Sequence, residues 1–291
     1  MGSIISTNRF INVQRKLLSE YFVGRKDELN TLSSLFDEFL LGESNPIVII
    51  TGEKGVGKTW LAAKFINTRV IPSGIPFICV DARSFNSVSS ILIWIADLLK
   101  QKYKIQTTRF DAALSRLNSF LSSMYSLNSF IEHSKQISSI VDEILALIVP
   151  ADFMNNVLSV LVKYEFDSLQ KDLRNIPTII DMLLAIALTI DISSALSLLG
   201  TKLFLFIDSA DKIIKENPGL ELFFSLLNHC MIVMCCINAP QWINANLNQK
   251  STIIELRRFN KKEIEELAKK YSLPTHVEFI RITRKKNCRK K

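Results

Sequence analysis

Apolar positions recur at helical spacing over residues 26–42 (Leu29, Leu32, Leu35, Phe36, Phe39, Leu40), which predicts an amphipathic helix. Asn45-Pro46 breaks that pattern. Ile47 to Thr51 is then an unbroken apolar, β-branched run, the signature of a strand buried on both faces of a parallel sheet. A glycine-rich turn leads into a predicted helix from Thr59 to Thr68, ended near Pro72, and Pro76 to Asp81 reads as a second buried strand. Residues 88–200 change character: Ser, Leu and Ile dominate and apolar residues return at helical spacing, as in Ile91, Ile95, Leu98 and Leu99 or Ile137, Ile140, Val141 and Ile144. Four to six helices are expected there, with breaks at Pro150 and Pro177. Strands resume at Leu203–Asp208, Met231–Asn238 and Ile253–Leu256, separated by a helix over 220–227 and followed by an amphipathic helix over 261–271. Strands alternating with helices predict an α/β fold on a parallel sheet.

Composition narrows this reading. The chain has 291 residues, 48% of them apolar, enough for a sizeable core. The net charge is +8, but Arg281, Arg284, Lys285, Lys286, Arg289, Lys290 and Lys291 supply seven of those charges. The excess therefore describes a tail, which could meet nucleic acid or another anionic surface, and not a basic globular domain. Five cysteines without C-x-x-C or Cys/His spacing argue against a zinc site and fit core thiols in a reducing, cytoplasmic setting. No signal-peptide pattern opens the chain. The most apolar stretch, Met182 to Leu199, is interrupted by Asp191, so no transmembrane span is expected. The helices of this region could be plain core helices, or one apolar face, Ile179 to Leu199, could be a docking surface for a protein partner or membrane.

The chemistry lies in Gly52-Glu53-Lys54-Gly55-Val56-Gly57-Lys58-Thr59, a full G-x-x-x-x-G-K-[ST] motif between a strand and a helix. Its glycines allow backbone conformations closed to residues with a Cβ, so the N–H groups can turn inward around phosphate. The following helix adds a partial positive charge at its N-terminus. In this reading the run from Gly52 through Trp60 holds the nucleotide, Lys58 reaches the β- and γ-phosphates, and Thr59 ligates Mg²⁺. A magnesium-holding acid is expected at the end of a neighbouring buried strand, and Asp208 closes Leu203-Phe204-Leu205-Phe206-Ile207. Asp208 could instead cap a helix. Asp211 could be the catalytic base or a solvated loop acid. Asn238 could orient water and sense the γ-phosphate, or mark a turn. No D-x-x-G follows Asp208, and Asn260-Lys261-Lys262-Glu263 misses N-K-x-D, so adenine is favoured over guanine.

These blocks resemble one family. Phe22-Val23-Gly24-Arg25-Lys26-Asp27-Glu28-Leu29 is similar to the box that precedes the phosphate loop in archaeal ATPases, STAND-class NTPases and the origin-recognition branch of AAA+ proteins. PFICVDARSF, LFLFIDSAD, MIVMCCINAP and IIELRRFNKKEIEELAKKY support the same resemblance over about residues 20–87 and 200–272. It implies a five-stranded parallel sheet in the order 5-1-4-3-2; the helical segment at about 88–200 departs from the family pattern as a large insert, being long for a connection between two core strands. It also implies an ATPase domain over 21–272, an adenine pocket formed partly by Phe22 and Val23, and Gly24 and Arg25 near the nucleotide. Residues 1–20 form a separate N-terminal segment, and 273–291 read as a truncated lid with a basic tail; the family's winged-helix domain is expected to be missing. The family's archaeal pattern has Glu after the magnesium-strand Asp, where this chain has Ser209, which implies slow turnover. Arg257 and Arg258 are the candidates for a lid or finger arginine. The resemblance implies a nucleotide-dependent switch, with a replication-initiator-like, nucleic-acid-binding ATPase or a remnant without turnover as alternatives.

Overall fold

In the computed structural model the described residues are 24–124, 130–151, 153–163, 173–211, 218–240 and 251–270. Five strands form one sheet: β1 (Ile47–Thr51), β2 (Phe77–Asp81), β3 (Leu203–Asp208), β4 (Cys230–Cys235) and β5 (Ser251–Glu255). Every pairing is parallel and the order is β2-β3-β4-β1-β5, the expected 5-1-4-3-2 arrangement read from the other edge. All residues of β1, β3 and β4 are buried, which explains why these strands are uniformly apolar and do not alternate. The fourth strand ends at Cys235, short of the predicted Asn238, because residues 237 and 238 turn out into solvent.

Helices cover both faces. α1 (Lys26–Leu41) and α2 (Lys58–Phe65) pack on one side, where Leu32, Phe36, Phe39, Leu61 and Phe65 meet Val48, Ile50, Phe204, Phe206 and Val233. The Phe36 and Phe65 rings stand edge to face, 5.5 Å apart. α2 does not stop at Thr68: its path continues through a wide turn at Ile66–Val70 into Ile71–Ser73. Pro72 is tolerated because it sits in the first turn of that last piece.

The other face carries the insert, α3 (Val88–Leu98), α4 (Thr108–Met124), α5 (Phe130–Ile148), α6 (Met154–Lys163) and α7 (Ile176–Leu199), together with α8 (Pro218–Leu226). A final helix, α9 (Lys261–Lys270), follows β5. The insert joins β2 to β3, two neighbouring strands, so the crossover of this unit is a helical layer that shares one core with the sheet face it covers. At its centre lies α7, packed against α3, α4, α5 and α8.

Burial of α7 decides for the core-helix alternative and against the docking surface. Ile179, Met182–Leu188, Ile190, Ile192 and Leu196 are all core residues, so this face is already occupied. By length and composition the helix could cross a membrane, but 72% of its most apolar window is buried inside the protein. The acids within it have structural partners. Asp181 accepts a hydrogen bond from the Ser89 N–H at 2.8 Å, at the start of α3. Asp191 accepts from the Phe110 N–H at 3.0 Å and from the Arg109 guanidinium at 3.3 Å, at the start of α4. Burial pushes the Asp191 carboxyl up, and the hydrogen bonds and charge of Phe110 and Arg109 act against that rise. Each acid thus occupies an orphan donor at a neighbouring helix N-terminus, which fixes how the insert helices dock. At the sheet edge, the Tyr103 hydroxyl accepts from the Phe77 N–H and donates to the Phe77 carbonyl, at 3.0 and 2.5 Å. That covers part of the unpaired side of β2.

Candidate functional site

The C-terminal ends of β1, β3 and β4 converge on the glycine-rich loop. Parallel strands with helical crossovers place their following loops at one edge, the usual ligand edge of an open α/β sheet. Gly52, Gly55 and Gly57 have φ of 137°, 90° and 100°, all in the left-handed half of the map. At Gly52 the demand is also steric: an added Cβ would lie 2.4 Å from the Leu256 carbonyl oxygen. Gly57 ends the loop and Lys58 begins α2, so the helix N-terminus faces the loop.

Lys58 and Thr59 hold positions consistent with the motif. The Lys58 ammonium donates to the Gly52 and Glu53 carbonyls at 2.6 and 3.0 Å and spans the loop. The Thr59 hydroxyl lies 3.0 Å from each carboxylate oxygen of Asp208. Thr59 follows β1 and Asp208 ends β3, with β4 between them, so a contact across 149 residues of sequence is set by sheet order alone. A hydroxyl beside a buried carboxylate is a hard-oxygen donor pair, and this set fits Mg²⁺. Trp60 is exposed at the start of the helix, and Val56 is the buried side chain of the loop.

Two carboxylates meet at the sheet end. Asp81 and Asp208 are register partners on β2 and β3. Burial pushes the Asp208 carboxyl above its ordinary value and the Asp81 charge adds to the rise, against hydrogen bonds from the Thr59 hydroxyl and the Ser209 N–H. Burial would also raise Asp81, but hydrogen bonds from Arg83 at 2.7 and 2.9 Å and its charge outweigh this and hold Asp81 below the usual range. The two acids are therefore driven apart. Sequence reading missed Asp81, although its place at the end of the second buried strand was the available signal. Ser209 has φ 56°, so the chain turns sharply just after Asp208.

Asp211 is half-buried, and its carboxylate accepts from the Ile237 N–H at 2.6 Å. It is not simply a solvated acid; it ties the turn after β3 to the turn after β4. Asn238 is exposed beside that bond.

Gly24 and Arg25 lie next to this site, whereas Phe22 and Val23 fall outside the described residues. Arg25 is left-handed at φ 59° and its side chain is 5% exposed. Its guanidinium donates to the Val56 carbonyl in the loop at 3.4 Å, to the Arg257 carbonyl after β5, and to Glu28 at 3.1 Å. It also lies 4.6 Å from the centre of the Phe259 ring. Sequence reading put Arg25 near the nucleotide but could not foresee that it joins the loop to the strand exit. Arg257 and Arg258 flank that exit, and Arg258 pairs with Glu53 at 2.5 and 2.8 Å.

A family model described as an AAA domain matches residues 41–179. No match is found among curated proteins. Solved structures similar to this chain include the Orc1 protein of Aeropyrum pernix in complex with DNA, with TM-score 0.45 and 13% identity over 87% of this chain and 50% of that one. Another is a signal transduction ATPase with numerous domains (STAND) and a tetratricopeptide repeat sensor from Pyrococcus horikoshii, with TM-score 0.32 and 16% identity over 88% of this chain and 26% of that one. The chain thus spans half the length of the first and about a quarter of the second. The AAA-domain match runs from the end of α1 through the phosphate loop into α7. That match, together with the glycine-rich loop set in a parallel sheet of the expected order, supports a P-loop domain of the AAA type.

Proposed function

We propose that this chain binds Mg-ATP at the 52–59 loop and hydrolyses it slowly, as a nucleotide-dependent switch, within an ATPase domain spanning about 21–272. The observation that carries the reading is the Thr59 hydroxyl set 3.0 Å from both oxygens of Asp208, directly behind a glycine-rich loop at a helix N-terminus. In this reading Gly52, Glu53, Lys54, Gly55, Val56 and Gly57 wrap the phosphates with backbone N–H groups, Lys58 neutralises the β- and γ-phosphates, and Thr59 and Asp208 hold Mg²⁺. Phe22, Val23, Gly24, Arg25 and Trp60 border the nucleoside. The buried thiols Cys79, Cys230, Cys235 and Cys236, all free, fit a cytoplasmic setting.

Turnover is slow in this account because Ser209 cannot activate water as a carboxylate does. Asp211 takes that role from the neighbouring turn, with Asn238 sensing the γ-phosphate. Asp211→Asn should lower ATP turnover about 10²-fold or more, in the range of general base catalysis, while ATP binding persists. Unchanged turnover in single-turnover assays would assign the Asp211 carboxylate to holding the Ile237 N–H alone.

A nucleic-acid-binding reading rests on a separate observation, the seven cations of residues 281–291. Contacts from them would be independent of sequence and would weaken by roughly 0.7–0.9 log units per log unit of salt for each phosphate neutralised. The test compares the full chain with one ending at Ile280 on random-sequence DNA at two salt concentrations. Salt-sensitive binding by the full chain alone favours this reading; equal behaviour of the two chains removes it.

A further inference from the structure

The phosphate loop of this chain carries a carboxylate where a polyphosphate must dock. Glu53 is its second residue, and its side chain is 65% exposed. Left alone, that charge would oppose an incoming triphosphate. It is instead paired with Arg258, 205 positions later and 80% exposed, through two guanidinium nitrogens. Arg258 belongs to the short segment between β5 and α9. That segment is laid against the loop at other points too. The Leu256 carbonyl lies where a Gly52 side chain would be. The buried Arg25 holds the Val56 and Arg257 carbonyls together. The Phe259 ring packs over Arg25 and beside Gly24. Asn260 and Glu263 then start α9 with a reciprocal cap, Asn260 N–H to Glu263 at 2.7 Å and Glu263 N–H to Asn260 at 3.0 Å.

These contacts differ in strength. Arg25 is buried and bonded to several groups, so removing its partners is costly. The Glu53–Arg258 pair is exposed, and such pairs contribute little to stability, so a stronger anion can displace one partner. A triphosphate held in the loop presents a larger negative charge to the same guanidinium. We propose that the Glu53–Arg258 pair is a nucleotide-sensitive clasp. Glu53 holds Arg258, and with it the start of α9, against the loop; the phosphates compete with Glu53 for Arg258 and draw it from the carboxylate to the nucleotide, while Arg25 stays as the fixed anchor. The proposal rests on the ATP-binding reading and adds its consequence: α9 reports what the loop contains.

The test measures affinity for a fluorescent ATP analogue with Mg²⁺, and backbone amide exchange over Lys261–Lys270, in the full chain. Glu53→Gln should bind about three- to tenfold tighter, and Arg258→Ala about tenfold weaker. The Arg258→Ala loss should persist in the Glu53→Gln background, and Arg258→Lys should recover part of it. Exchange in α9 should be raised in nucleotide-free Glu53→Gln, where Arg258 has lost its partner, and should fall when nucleotide binds and the phosphates take Arg258, in that variant and in the unsubstituted protein. The clasp is overturned if Glu53→Gln leaves affinity unchanged or weakened. It is also overturned if Glu53→Gln cancels the Arg258→Ala loss, which would make Arg258 only a shield for Glu53, or if α9 exchange ignores nucleotide. If the unsubstituted protein does not bind the analogue, the ATP reading itself fails and the clasp with it.

Discussion

Replacing Lys58 with Ala is expected to weaken Mg-ATP binding by roughly 10- to 150-fold. Lys58 is the only side chain of the 52–59 loop whose ammonium spans it, donating to carbonyls at both Gly52 and Glu53. A charge-assisted hydrogen bond to phosphate contributes about 1.5–3 kcal/mol, and each 1.4 kcal/mol is tenfold in affinity. The fold should survive, because the lysine head group is outside both apolar cores. Circular dichroism and thermal melting establish folding, and calorimetry then reads the affinity. A folded Lys58→Ala protein with unchanged ATP affinity would place the nucleotide elsewhere.

Asp208→Asn should act in opposite directions on turnover and on stability. Replacing the carboxylate with a neutral amide removes the negative charge facing Mg²⁺, several kcal/mol of charge stabilisation, so hydrolysis should fall at least about 10²-fold. The nucleotide-free protein should nevertheless melt at a higher temperature near pH 7. Burial raises the folded-state pKa of Asp208, so the folded protein binds this proton more tightly than the unfolded chain does. As pH climbs past the ordinary Asp value of about 3.9, the unfolded chain ionises first and the folded state loses stability until its own raised pKa is passed. Above that, the whole penalty is present; below the ordinary value, it is absent. The Asn variant escapes it and can still accept a hydrogen bond from Thr59. Its advantage in melting temperature should therefore be largest at neutral pH and shrink as the pH approaches 4. An advantage independent of pH would show that packing, not ionisation, separates the two proteins.

Much of this site could be read from residues close in sequence. The 52–59 loop is a local device: three glycines, a lysine and a hydroxyl at fixed spacing, between an apolar run and a helix. Asp208 was legible because a carboxylate after five apolar residues has few places to be other than a strand end. Sheet order came with the family resemblance, and periodicity alone would not have supplied it. What could not be read depends on contacts between distant segments. Asp191 looks like an interruption of an apolar stretch until α4 is docked beside it and Phe110 presents its N–H. Ile179 to Leu199 fits either a core helix or a docking face by its apolar pattern, and only the docking of α3, α4 and α8 around it decides for the core. The register that sets Asp81 beside Asp208, and the links from Arg25 and Arg258 to the loop, likewise exist only after folding.

The central claim is that the 52–59 loop and Asp208 form one Mg-ATP site, and isothermal calorimetry of the purified chain tests it most directly. Titration with ATP in the presence of Mg²⁺ should give one site per chain, with affinity lowered by magnesium chelation and by Asp208→Asn, and with GTP bound more weakly. A folded protein that gives no heat and no thermal shift with Mg-ATP, or that binds ATP equally well with and without magnesium and Asp208, would contradict it.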